Sequence, residues 1–111
     1  MKSKIQTLVI TTAIVLTAGV VSAADVNEVW KKECVSCHAK DGSGSTVMGK
    51  KSGAKDYRDP KVQADLTDAK AVDRIKNGYT ENGKEKMKPF KDKVTDDEIK
   101  ALIAYIRTFK K

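Results

Sequence analysis

The sequence predicts an all-α fold of three to four short helices joined by long loops, and three observations predict it. Residues 95–109 carry both the start signal and the apolar stripe of an amphipathic helix. No stretch alternates apolar and polar residues for long enough to read as a strand. Between the helical segments lie runs rich in Gly, Ser and Lys, such as Asp41-Gly42-Ser43-Gly44-Ser45, which do not suit regular structure.

The elements follow in chain order. Met1 to Lys4 carries Lys2 and Lys4, Ile5 to Val21 is uncharged and mostly apolar, and Val21-Ser22-Ala23-Ala24 offers small residues. A basic start, an apolar run and a small-residue end make a secretory signal peptide. Cleavage is expected after Ala23 or Ala24, so residues 1–23 are the leader and 24–111 a single domain exported to the periplasm. The alternative is an uncleaved membrane anchor, for which the apolar run falls somewhat short of a spanning helix of about 20 residues. Losing the leader removes Lys2 and Lys4 and no acid, so the net charge drops from +7 to +5.

Asp25 is a candidate N-cap, with Glu28 three residues on. Val26, Val29, Trp30, Cys34 and Cys37 then keep helical spacing. This helix leads into Cys34-Val35-Ser36-Cys37-His38, which holds both cysteines and the only histidine. C-x-x-C-H is the spacing of covalent haem c attachment. Two thiols add to the two vinyl groups of one haem, and the histidine offers a nitrogen to the iron. On a helix, residues 34, 37 and 38 stand at i, i+3 and i+4 and share one face. A structural zinc site wants four Cys or His ligands, and the chain has three. A thioredoxin-like pair wants a strand–helix context, which the flanking residues lack. A short chain builds only a modest core, and a buried haem would supply much of the missing apolar surface. Trp30, Tyr57, Tyr79, Phe90, Tyr105 and Phe109 are available to wall it.

A loop is expected from about Ala39 to Lys55, and Asp59-Pro60 marks a turn. A short helix starts at Thr67-Asp68, with Ala69, Val72 and Ile75 as its stripe and Asn77-Gly78 as its stop. A second loop, Tyr79 to Lys93, holds Gly83 and Pro89. The last helix opens on the capping box Thr95-Asp96-Asp97-Glu98, with Val94 and Ile99 placed for a hydrophobic staple. Ile99, Leu102, Ile103, Ile106 and Phe109 form its apolar face. Tyr105 and Phe109 are expected to pack the helix. The loops are longer than is usual in a compact domain, which suits a chain wrapped around a cofactor.

Taken together, these segments resemble a small bacterial class I monohaem cytochrome c. Trp30 stands four before the first cysteine, and C-V-S-C-H lies near the start of the mature chain. Asp41-Gly42-Ser43-Gly44, Ile75-Lys76-Asn77-Gly78, Met87-Lys88-Pro89-Phe90 and a terminal helix ending Ala104-Tyr105-Ile106-Arg107 follow. The resemblance implies a class I cytochrome c fold in which the first and last helices cross beside one haem c. It implies axial ligation of the iron by His38 and by a methionine of the late loop, Met87. It implies a carrier of single electrons between larger redox proteins, not an enzyme. Two positions depart from the pattern. Val26 stands where the family often has a glycine at the helix crossing, which predicts a looser crossing. No proline lies between Ala39 and Asp59, so a backbone carbonyl of the Ser43–Gly49 loop is expected to accept from the second ring nitrogen of His38.

The sixth ligand has a competitor. Met87 lies 49 residues after His38, enough chain to pass round the haem, and Pro89 and Phe90 stiffen and anchor its segment. Met48, ten residues after His38, could also span the distance. The single histidine excludes bis-histidine ligation within one chain. His/Met ligation raises the potential and closes the iron to substrates. The alternative function is a haem-ligand sensor or peroxidase-like enzyme with an open iron site, and a further one is a dedicated haem subunit of an oxidoreductase. Tyr57, Arg58 and Tyr79 are candidate partners of the haem propionates or ordinary loop residues. Lys84, Lys86, Lys88, Lys91 and Lys93 crowd around Met87, and Lys40, Lys50 and Lys51 follow the motif. Such a ring suits an acidic redox partner protein. Nucleic acid is not an expected partner, and a monomer is expected.

Overall fold

The computed structural model describes residues 9–15 and 23–111. Most of the expected signal segment and its cleavage region therefore lies outside the described residues. Residues 9–15 belong to no regular element. Among the described residues no helix is long and apolar enough to cross a membrane.

Helix α1 (Ala23–Val29) continues through a π-helical stretch (Trp30–Cys34) into α2 (Val35–His38). The described helix already includes Ala23 and Ala24, ahead of the expected cap, and Asp25 lies in its first turn, where a carboxylate favours the positive end of the helix dipole. The π stretch has no signature in the sequence. It widens the turn just before the cysteine motif, as such bulges often do beside functional sites.

The segment after His38 is more regular than expected. Within it, α3 (Val47–Ser52) is capped by Thr46, whose side chain accepts from the Gly49 amide, and ends on Gly53 in the left-handed region. The Asp59-Pro60 turn is in fact the start of α4 (Pro60–Asp65), with Asp59 as N-cap and proline in the first turn. Helix α5 (Asp68–Asn77) starts on Thr67 and stops at Gly78, and α6 (Asp96–Arg107) carries the full capping box, Thr95 and Glu98 each bonding the other's backbone. Both follow the start and stop signals of the sequence, but the stripe of α5 differs from expectation: Ala71 and Ile75 are buried, Val72 is half-buried and Ala69 is exposed.

One strand pair was not expected. β1 (Tyr79–Glu81) and β2 (Lys84–Met87) form an antiparallel hairpin, turning through Asn82 and Gly83, both at positive φ. Its strands are mostly exposed and polar, so no apolar alternation announces them. The remainder is all-α, with more and shorter helices than the three to four expected.

Helices α1 and α5 both pack on α6. The core comprises Val26 and Trp30, Ala71 and Ile75 of α5, Phe90 and Val94 of the connection, and Ile99, Leu102, Ile103 and Ile106 of α6. Burying each large side chain contributes about 1.5–3 kcal/mol against the entropy of ordering the chain. Val26 is buried in this core, so the helix packing accommodates a branched side chain where the resemblance suggested glycine. Phe109 lies beyond the end of α6 and packs against the core's edge.

Candidate functional site

The Cys34–His38 motif is built on the end of the first helix and braced from two directions. From inside, Trp30 is buried and its Nε1 donates to the Ala39 carbonyl at 3.1 Å. Ala39 ends the helix at φ 65°, a conformation that costs a non-glycine residue roughly 1–3 kcal/mol and persists only under such constraint. From outside, Thr46 Oγ1 donates to the Ser36 carbonyl at 2.7 Å, and the Gly44 amide donates to the His38 carbonyl at 2.9 Å. These bonds satisfy carbonyls that a helix end leaves open. Gly49 of α3 lies so close to the Cys37 carbonyl that a side chain there would overlap it. The helix carrying the motif is therefore held in place from Ser36 to Ala39.

Cys34 and Cys37 are half-buried free thiols. Burial, with a smaller contribution from Glu33, pushes the Cys34 thiol up to about 12. Burial lowers the His38 imidazole to about 4, so at neutral pH it is uncharged and keeps a lone pair. Its ring stacks on Tyr57 at 5.1 Å between centroids and 16° between planes, and meets Trp30 at 5.8 Å. His38 Nδ1 is buried and has no hydrogen-bond partner. The expected carbonyl from the Ser43–Gly49 loop does not reach it. Three carbonyls of that loop are engaged elsewhere: Thr46 O by the Lys50 amide, Met48 O by the Ser52 hydroxyl and Gly49 O by the Ala54 amide. Aromatic packing, not a hydrogen bond, orients the ring.

Nδ1 is the nitrogen expected to bond a loop carbonyl, so the other ring nitrogen, Nε2, is the one left to offer its lone pair to a metal. Among the described residues no group of three or more His, Cys, Asp or Glu could hold a bare ion. The donor set (two thiols and one neutral imidazole) suits a metal that arrives in its own macrocycle. The residues present thus fit a haem.

The two candidate methionines differ in setting. Met87 is half-buried, ends β2 and packs against the core cluster. Met48, on α3, is 59 % exposed. The segment after Met87 is bound to the last turn of α5: the Phe90 amide donates to the Ile75 carbonyl at 2.8 Å and the Lys91 amide to the Lys76 carbonyl at 3.3 Å. Gly78 makes this approach possible, since a Cβ there would stand 2.5 Å from the Met87 carbonyl oxygen, and its φ is +75°. The Ile75–Gly78 and Met87–Phe90 segments, separate in sequence, are thus one structural unit.

The three propionate candidates are differently engaged. Tyr57 lies largely out of solvent against His38, and burial pushes its hydroxyl up to about 12. Arg58 pairs with Asp56 at 3.0 Å and Asp41 at 3.5 Å. Tyr79 lies under Arg74, whose guanidinium carbon is 4.0 Å from the ring centroid. Lys84, Lys88, Lys91 and Lys93 are exposed, as are Lys40, Lys50 and Lys51. Sequence reasoning missed the bracing by Thr46 and Gly49 and the Trp30–Ala39 bond; the Thr-x-x-Gly cap was its only visible trace. Two surface grooves of about 240 and 350 Å³ lie between α5 and α6, around Val72 and Lys100, and include no residue of the motif.

The chain is similar to known proteins in sequence and in fold. Residues 21–106 match the family model described as cytochrome c oxidase, cbb3-type, subunit III. Among solved structures, the KustC0563 c-type cytochrome is 35% identical, with a TM-score of 0.69 over 77% of this chain and 96% of that one. A tyrosine-to-phenylalanine mutant of Kustc0563 gives 35% identity and a TM-score of 0.67 over 78% and 99%. No curated protein matches. The chain therefore belongs to the c-type cytochrome family, with the class I cytochrome c fold, one covalently bound haem c and haem-based electron transfer as its chemistry.

Proposed function

We propose that the protein is an exported, monohaem electron carrier in which Cys34 and Cys37 hold the haem as thioethers, His38 is the proximal ligand and Met87 the distal one. The observation that carries the reading is His38: a neutral imidazole packed against Trp30 and Tyr57, on the same helix end as both thiols. A haem held by these residues would supply one-electron chemistry between a reduced and an oxidised partner protein. The chain's residues do the rest. Trp30 and Tyr57 hold the imidazole plane, Thr46 and Gly49 hold the helix end, and the bonds from Phe90 and Lys91 hold the Met87 segment. The packing of the half-buried Met87 against the core and the exposure of Met48 support Met87 as the sixth ligand. The exposed lysines support an acidic docking surface on the partner.

Three measurements test this reading. Intact mass of the purified protein, denatured in acid, should show one haem retained and an N-terminus at Ala24 or Asp25. The ferric protein should show the weak near-infrared sulfur-to-iron band, lost in Met87→Ala and kept in Met48→Ala. The ferrous protein should resist carbon monoxide. Rapid carbon monoxide binding would instead indicate an open site of the sensor or peroxidase-like kind.

A second reading has one observation in its favour. The matching family is described by a subunit of an oxidase, so the same electron transfer could serve within a single complex. Stable co-purification with one oxidoreductase would favour the subunit, and recovery as a separate protein the free carrier.

A further inference from the structure

The β1–β2 hairpin is where the chain departs most from expectation, and it carries Met87. The pairing runs Glu81↔Lys84 and Thr80↔Glu85, then steps to Tyr79↔Met87. Lys86 is the extra residue of a bulge. A bulge bends its strand and re-aims the side chains beside it, and here the next residue is Met87. Directly across from it stands Tyr79, whose ring is covered by the Arg74 guanidinium at 4.0 Å. Arg74 belongs to the last turn of α5, the same turn to which the chain after Met87 is bonded through Ile75 and Lys76. Met87 is therefore held on its far side by the backbone of Phe90 and Lys91. On its near side stands the Arg74–Tyr79 stack.

We infer that Arg74 and Tyr79 act together as a latch that positions the Met87 segment, controlling how readily Met87 yields its place to an external ligand. They are positioning residues, since neither is assigned to the iron. The inference rests on Met87 being the distal ligand. A cation over an aromatic ring holds only if both members are present, so the two should behave as one unit.

The test uses the ferric holoprotein and imidazole as the competing ligand, followed by loss of the near-infrared band. Arg74→Met and Tyr79→Leu should each tighten imidazole binding by about two- to five-fold, the equilibrium equivalent of one partly exposed cation–π contact. The double variant should gain no more than either single one. Tyr79→Phe and Arg74→Lys keep a ring and a cation and should stay near the unmutated affinity. These conservative variants keep the latch open to refutation if a larger change prevents folding, since tightening in either of them would contradict it. Equal tightening in Tyr79→Phe and Tyr79→Leu would overturn the latch, as would fully additive effects or no change in affinity. Failure of the underlying assignment reads differently: the band would be absent from the unmutated protein, or would survive in Met87→Ala.

Discussion

Single side chains set the chemistry here, and several are constrained more tightly than their type suggests. Gly78 is the clearest case. It sits at φ +75° with the Met87 carbonyl 2.5 Å from where a Cβ would be, so Gly78→Ala meets both backbone strain and a clash with rigid main chain. We expect a loss of about 1–3 kcal/mol in urea unfolding, together with a weaker near-infrared band because the Met87 segment must shift. Trp30 is a second case. Trp30→Phe keeps a ring in the core but removes the donor to the Ala39 carbonyl. The carbonyl then keeps only the longer bond from the Gly42 amide at 3.4 Å, so the loss should be about 0.5–1.5 kcal/mol, read as a lowered unfolding midpoint. Met48→Ala, by contrast, changes an exposed side chain and should stay within about 0.5 kcal/mol of the parent.

Among the elements, α6 and α4 illustrate two kinds of stabilisation. Helix α6 starts on a local device: the Glu98 amide donates to Thr95 Oγ1 at 3.1 Å, and the Thr95 amide donates to Glu98 Oε1 at 2.9 Å. Thr95→Ala should lower stability by about 1 kcal/mol without altering the haem spectrum. Helix α4 is too short to be stable alone and is held by distant partners. Gln63 is buried, and its Nε2 donates to the Ile106 carbonyl at 2.9 Å and the Tyr57 carbonyl at 2.7 Å. Its Oε1 accepts from Arg107 Nη1 at 2.8 Å, and Arg107 also pairs with Asp68. Gln63→Leu strands the Tyr57 carbonyl and removes one bond each from the Ile106 carbonyl and Arg107, which keep the Phe109 amide and the Gln63 and Leu66 carbonyls with Asp68. We expect it to cost about 1–3 kcal/mol or more, and to loosen Tyr57 against His38, which chemical unfolding and the haem spectrum would register.

Across the molecule, charge governs both stability and partner choice. The Arg58 side chain joins Asp56 and Asp41, and its carbonyl accepts from the Lys111 amide, tying the middle of the chain to its end. The Asp56 carboxyl is held below its ordinary 3.8 chiefly by the Arg58 hydrogen bond. Asp41 is lowered chiefly by hydrogen bonding from Ser43, with Arg58 adding to it. A carboxyl whose folded value is depressed contributes stability above its unfolded value and loses that contribution as pH falls through the folded one. The thermal midpoint should therefore drop as pH falls from about 5 to about 2, and Arg58→Gln should flatten that drop. The exposed lysines give a separate test. If the partner presents acidic residues, the rate of electron transfer should fall steeply with added salt, since exposed charges are screened beyond about 10 Å at 0.1 M.

What the sequence by itself determined was local. C-x-x-C-H needs only five adjacent residues, the Thr95–Glu98 box only four, and the Asn77-Gly78 stop only two; each acts through neighbours a few bonds away, so each is visible in one dimension. The pairing of Ile75–Gly78 with Met87–Phe90, the bracing of Cys37 by Gly49, and the docking of Gln63 under Ile106 were decided by tertiary structure. Their partners lie about ten to more than forty residues apart. The short helices α3 and α4 belong to this second group, because elements of six residues gain most of their stability from what they pack against rather than from their own turns. The hairpin does too. Asn82-Gly83 is a hairpin signal, but its flanks, Tyr79-Thr80-Glu81 and Lys84-Glu85-Lys86, carry almost no apolar pattern, so only the closure of the chain around the Met87 segment makes them strands.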